Sequence, residues 1–162
     1  MQRRMVFIGL LLAGICNVLY AQVDNAKLSV YIFLSPECPL SQNYTKTLNS
    51  LNDEYGKRIS FIGVIPGSTY SQAEIKKYVS EYKVRFKIIR DKKRVLVSKM
   101  HATVTPEVIL IDGQQAVLYQ GAIDDWAISL GKKKLSPTTP YLKNAIEQVL
   151  HGKEIIVRSK IG

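Results

Sequence analysis

Hydrophobic positions along the chain fall into short continuous runs separated by stretches with helical spacing. LSVYIFLS (Leu28–Ser35) is apolar at nearly every position and predicts a buried strand. From Pro39 to Gly56 the period changes. Tyr44, Leu48, Leu51 and Tyr55 recur at helical intervals, and Gly56 is the stop signal. RISFIGVIPG (Arg58–Gly67) predicts a second buried strand. Ser71–Lys83 reads as a helix with Ile75, Val79 and Tyr82 on its apolar face. Phe86–Ile89 predicts a short strand and Arg94–Ala102 a short helix. EVILID (Glu107–Asp112) is a strand, the Asp112-Gly113 pair predicts a hairpin turn, and AVLYQG runs back. Gly121–Pro137 has no clear period, with Lys132-Lys133-Lys134 read as loop. Thr138–Gly152 predicts the last helix.

The resulting order is β-α-β, then an α-β-α insert, then β-β-α. Alternating strands and helices require a parallel start, and the late hairpin adds antiparallel strands. The predicted fold class is α/β, a three-layer sandwich around a mixed sheet. The chain has 162 residues, 46% hydrophobic and 22% charged, which fits one globular domain with its own core.

The first 21 residues stand apart. MQRR is a basic start, MVFIGLLLAGICNVL is apolar without charge, and Ala21 is a small residue at a cleavage position. This is the layout of a secretory signal peptide, and the apolar part is short for a span of about 20 residues. Residues 1–21 are therefore expected to be a cleaved leader, with 22–162 as the domain. A retained membrane anchor is the second reading. Lipoprotein processing at Cys16 is the third, weakened by the bulky Ile15. Export to the periplasm or cell envelope follows from the first.

Loss of the leader would remove Arg3 and Arg4 and lower the formal charge from +10 to +8. It would also leave Cys38 as the lone thiol. An exported chain with one cysteine has no internal disulfide framework, so that cysteine is reactive, a metal ligand, or joined to another chain. Basic residues concentrate between Lys76 and Lys99, ten Lys or Arg against Glu81 and Asp91. Such a run is a solvated face or a docking surface for an anionic membrane or acidic partner. Nucleic acid is not expected, because no recognition motif interleaves these charges.

Cys38 lies between the first strand and the first helix, at a strand's carboxyl end, where open α/β sheets place their sites. It also lies at a helix N-terminus, where unpaired N–H groups and the helix dipole favour the thiolate, the nucleophilic form. Pro39 suits the first helical turn, where no N–H is needed. Glu37, immediately before the cysteine, opposes an anion there. The second element is Thr105-Pro106, a proline directly before a buried strand, a setting for a tight turn or a cis bond.

On these residues the chain resembles the thioredoxin-like superfamily. More narrowly, it is similar to exported redoxins of the alkyl hydroperoxide reductase and thiol-specific antioxidant group. Three stretches between Leu28 and Lys153 carry the resemblance: FLSPECPLSQNYTKTLNSL, TPEVILID, and GAIDDWAISLGKKKLSPTTPYLKNAIEQVLHGK. It implies Cys38 as the attacking thiol and Pro106 as a cis-proline. The loop of Thr105 and Pro106 would face the thiol and, with Pro39, contact the substrate chain. It implies no cofactor.

The chain departs from that pattern at position 41, where a dithiol member carries its second cysteine and this one has Ser41. A second thiol releases the mixed disulfide made by the first, and a hydroxyl cannot. Ser41 can instead donate a hydrogen bond to Cys38. The expected function is thiol–disulfide exchange through a single cysteine, with exported proteins or small thiols as partners and an external thiol to resolve the adduct. Related redoxins continue past a glycine like Gly162 into a Gly-Cys pair, whereas the sequence here stops at Gly162, so either it is trimmed or that cysteine is absent.

Other readings stay open. A thiol peroxidase would want a hydroxyl three residues before the cysteine, which Ser35 supplies, and a proline where the chain has Tyr31. A copper-binding module would use Cys38, Met100 and His101, soft or borderline ligands, although His101 also reads as a plain surface residue. A non-catalytic adapter domain is the remaining alternative. Trp126, the single tryptophan, reads as packing for the irregular segment.

Overall fold

The computed structural model describes residues 28–129, 132–155 and 159–160. The expected leader lies outside the described residues. Eight strands and four helices follow in the order β1 (Ser29–Phe33), α1 (Pro39–Tyr55), β2 (Ser60–Pro66), α2 (Gln72–Glu81), β3 (Lys87–Asp91), α3 (Val95–Met100), β4 (Glu107–Ile111), β5 (Val117–Gly121), β6 (Ala127–Ser129), β7 (Lys132–Lys133), α4 (Tyr141–Leu150) and β8 (Ser159–Lys160). No described helix is long and apolar enough to cross a membrane.

The main sheet is mixed, in the order β3-β2-β1-β4-β5-β8. Central β1 runs parallel to β2 and antiparallel to β4. Side chains on successive strand residues point to opposite faces, and both faces of this sheet are covered. Val30, Ile32 and Leu34 join Val108, Leu110 and Tyr119 under α1, α2 and α4. Phe33, Val64, Ile109 and Ile111 pack with Met100 and half-buried Leu96 and Val97 of α3. The three-layer mixed α/β architecture is thus the observed one.

Several boundaries differ from the sequence reading, each for a local reason. On α2 the expected Ile75, Val79 and Tyr82 all face the core, the last two only partly buried, and Tyr78 joins Ile75 as the second fully buried residue. Its hydroxyl lies 3.0 Å from that of Thr45 on α1, so the ring buries while the polar tip stays satisfied. Strand β3 starts and ends later than expected because pairing with β2 extends to Asp91 opposite Pro66. Helix α3 is cut short by left-handed residues at both ends, Arg94 (φ 57°) and His101 (φ 53°).

The β4–β5 hairpin is wider than the two-residue turn expected. Asp112 Oδ1 accepts from the N–H groups of Gln114 and Ala116, and Gln115 takes the left-handed conformation (φ 67°). Helix α4 begins at Tyr141 because the Thr138 and Thr139 N–H groups go to Asp125 Oδ1. Lys132 and Lys133, expected in a loop, pair with Ala127–Ser129 as a small second sheet. The basic run covers α2, β3 and α3. β3 is an outer strand of the sheet, and exposed Lys87, Lys92 and Lys93 on and beside it discourage edge-to-edge pairing.

Candidate functional site

The first strand delivers the cysteine into a tight turn. After β1 the Leu34 N–H still bonds Val64 C=O (2.9 Å), and the Cys38 N–H closes onto Ser35 C=O (3.0 Å). Cys38 is the N-cap of α1, in extended conformation, with Pro39 in the first helical turn. Its carbonyl accepts the first helical bond, from Gln42 N–H (3.0 Å), and Gln42 Nε2 returns to Pro36 C=O (2.7 Å). The thiol does not cap the helix. It is half-buried, and Sγ lies 3.6 Å from the carbonyl oxygen of Thr105. Residues 67 positions apart in sequence thus meet at the sulfur.

Ser41, one turn into α1, is fully buried. Its Oγ accepts from the Ser35 N–H (3.1 Å), and its carbonyl accepts from the hydroxyls of Thr45 (3.0 Å) and Tyr78 (3.3 Å). The sequence reading aimed this hydroxyl at Cys38, whereas the bond it makes here is to Ser35. Ser41 therefore ties the turn that carries the cysteine to the helix that follows it.

The facing loop is held by a residue that sequence reasoning did not single out. The Thr105–Pro106 peptide bond is cis. Glu107, next in the chain, is 5% exposed. Its Oε2 accepts from the N–H of Thr103 (2.7 Å) and Val104 (3.5 Å), and its Oε1 from Gln120 Nε2 (3.0 Å). A buried carboxylate costs several kcal/mol unless it is hydrogen-bonded, and this one is used on loop backbone. Its signal in the sequence was a lone acidic residue leading an otherwise apolar strand.

Two clefts flank Thr105. One, about 130 Å³, is lined by Leu40, Tyr44, Pro106, Ile123, Asp124 and Ala127. Asp124 there is buried and accepts from the Tyr44 hydroxyl (2.6 Å) and the Trp126 N–H (2.9 Å). Burial first, then the Asp124 hydrogen bond and charge, push the Tyr44 hydroxyl well above the usual tyrosine range. Trp126 packs edge-on to Tyr44 at 5.5 Å, which is the packing role expected of it. The other cleft, about 330 Å³, has Ser35, Tyr70, Arg94, Val97 and Thr103 in its lining.

No protein-family model matches the chain, and no curated protein matches it by sequence. Solved structures do match. An uncharacterized conserved protein from Geobacillus kaustophilus superposes with a TM-score of 0.73 at 21% identity, covering 83% of this chain and 73% of that one. A thioredoxin-like protein in its oxidised form gives 0.59 at 17% identity, covering 79% and 80%. A secreted disulfide oxidoreductase from Mycobacterium tuberculosis, homologous to DsbE of E. coli, gives 0.50 at 17% identity, covering 57% and 66%. The fold is thioredoxin-like.

Within this thioredoxin-like frame the other sequence candidates have contacts of their own. Met100 is 6% exposed and packs in the core beneath α3 with Phe33 and Ile109. His101 is exposed at the end of α3, and its carbonyl accepts from Gln120 (3.3 Å). Among the described residues no group of three or more His, Cys, Asp and Glu could hold a metal ion. Tyr31, at the position where a peroxidase would want proline, lies mid-strand and pairs with Ile62 and Ile109. The Ser35 hydroxyl faces Tyr70 at 2.9 Å.

Proposed function

We propose that the chain is a thiol–disulfide exchange protein that works through Cys38 alone. One observation carries this. The only described cysteine is half-exposed at the N-cap of α1, with its sulfur against the Thr105 carbonyl of the opposite loop. An extended substrate lying along that loop would bring its own sulfur to Cys38. The thiolate attacks one sulfur of the substrate disulfide, that S–S bond breaks, and the displaced thiolate leaves with the electron pair. The mixed disulfide persists until an external thiol attacks it, because position 41 offers a buried hydroxyl engaged with Ser35. Thioredoxin-like neighbours that are disulfide oxidoreductases support the chemistry, and the apolar leader supports export to the periplasm or envelope, with exported proteins or small thiols as substrates. The copper reading would require Met100 to leave its core, so it is not preferred.

Intact-mass analysis after incubation with oxidised glutathione tests the proposal, with Cys38→Ala as control. One reversible adduct at Cys38 under native conditions is the expected result. Labelling of Cys38 only after denaturation would make it a structural residue and overturn the proposal.

A further inference from the structure

The larger cleft beside Thr105 has no part in the exchange reaction as described above. Its volume of about 330 Å³ is on the scale of a small-molecule site. Arg94 lines it from the left-handed turn before α3, and Ser35 and Tyr70 line it with hydroxyls 2.9 Å apart. Thr105, whose carbonyl touches the Cys38 sulfur, belongs to the same lining.

Two buried carboxylates hold this cleft in shape from inside. Asp91 accepts from the N–H groups of Val95 (2.8 Å), Leu96 (2.8 Å) and Val97 (3.0 Å). Its own carbonyl takes the N–H groups of Gly67 (2.8 Å) and Arg94 (2.9 Å), which joins the loop bearing Tyr70 to the turn bearing Arg94. Glu107 holds Thr103 and Val104 on the far side. Asp91 is committed to backbone N–H groups, and Glu107 to backbone N–H groups and the Gln120 side chain. Arg94 is exposed, and among the described residues no ion pair is formed by it. Beside the hydroxyl pair stands exposed Glu37, whose Oε2 accepts from the Tyr70 hydroxyl at 3.4 Å.

We propose that this cleft takes the carboxylate of a small disulfide or thiol, so that Cys38 exchanges preferentially with anionic low-molecular-weight partners. The inference rests on the exchange reading of Cys38. A guanidinium presents paired N–H donors that match a carboxylate, and the Ser35–Tyr70 hydroxyl pair, bonded within itself, can turn one O–H toward the ligand in place of its contact with Glu37. With the carboxylate seated, the partner's sulfur is held near Thr105. The Cys38 thiolate attacks that sulfur, the S–S bond breaks, and the other half leaves as a thiolate with the electron pair. A second molecule of the small thiol reverses the step.

The test is the second-order rate of mixed-disulfide formation at Cys38 in the full chain, read by peptide mapping at physiological salt. Dithiodipropionate is compared with neutral bis(hydroxyethyl) disulfide. The anionic disulfide should react faster by about tenfold, the worth of one charge-assisted hydrogen-bond pair. Arg94→Gln should erase that preference and leave the neutral rate unchanged, whereas Arg94→Lys should keep part of it. Lys93→Gln controls for the general positive field and should keep nearly all of it. Equal rates in the parent would overturn the proposal. So would an Arg94→Gln loss shared by both disulfides, or an equal loss in Lys93→Gln. Failure of Cys38 to react with either disulfide would remove the exchange reading itself, a distinct outcome from exchange without preference.

Discussion

At position 41 a serine stands where a dithiol site has its second sulfur, and its oxygen holds the N–H of Ser35. Ser41→Ala leaves that donor without its partner and should lower stability by about 1 kcal/mol in denaturant unfolding, with Cys38 reactivity nearly intact. Ser41→Cys should close an internal disulfide with Cys38, since the two side chains lie one helical turn apart. That variant should reduce insulin with a dithiol donor far better than the parent. If both thiols of Ser41→Cys alkylate independently in oxidising buffer, the placement of Cys38 on α1 is wrong. Cys38 and Pro106 were legible in the sequence because each interrupts a pattern, a cysteine ending an apolar run and a proline opening one. Glu107 was not legible. Its partners, the Thr103 and Val104 N–H groups and Gln120, are fixed by how the loop folds back and by the neighbouring strand. Glu107→Ala should cost about 1–3 kcal/mol and slow exchange at Cys38, because two loop N–H groups lose their acceptor.

At the level of elements, most strands and helices announced themselves by period, and their ends did not. The ends are set by side chains that compete for backbone groups. Asp91 is the clearest case. It is the last residue of β3, yet its carboxylate receives three N–H groups at the start of α3. A helix of six residues has little stability of its own, so its first turn depends on this acceptor. Asp91→Ala should lower global stability by about 1–2 kcal/mol and speed hydrogen exchange at Val95, Leu96 and Val97 ahead of the rest of the sheet. Uniform exchange across these amides and the core strands would contradict that role. The late start of α4 has the same origin, since Asp125 draws the Thr138 and Thr139 N–H groups out of the helix.

Across the whole molecule, the described residues between β5 and α4 (122–129 and 132–140) combine core packing by Ile123 and Trp126 with polar contacts to Asp125 in no periodic order, so sequence patterning could not describe them. Asp125 anchors this segment. The Lys134 ammonium first, then Thr138 and Thr139, hold the Asp125 carboxyl far below the usual carboxylate range. A group with a depressed native pKa stabilises the fold fully above its ordinary value near 3.9 and loses that contribution as pH falls further. The segment should therefore loosen in acid. Trp126, next in the chain and the only tryptophan, reports it by fluorescence. The emission should shift in acid before the far-ultraviolet signal of the sheet changes, and Asp125→Asn should show the shifted emission already at neutral pH. Coincident loss of both signals in the parent would contradict this.

Among the described residues the thioredoxin-like fold places a single sulfur, that of Cys38, beyond the end of a central strand, and the proposed chemistry uses it as a nucleophile without a second thiol. Stoichiometry of product release tests that claim most directly. Reduced protein is mixed with excess of a peptide disulfide that carries a chromogenic leaving thiol, with Cys38→Ala as the blank. Exchange through Cys38 alone gives a burst of one chromophore equivalent per Cys38, then a stall with the peptide held on the protein, and renewed release only when an external thiol is added. Continued turnover without added thiol, or no burst above the Cys38→Ala blank, would contradict it.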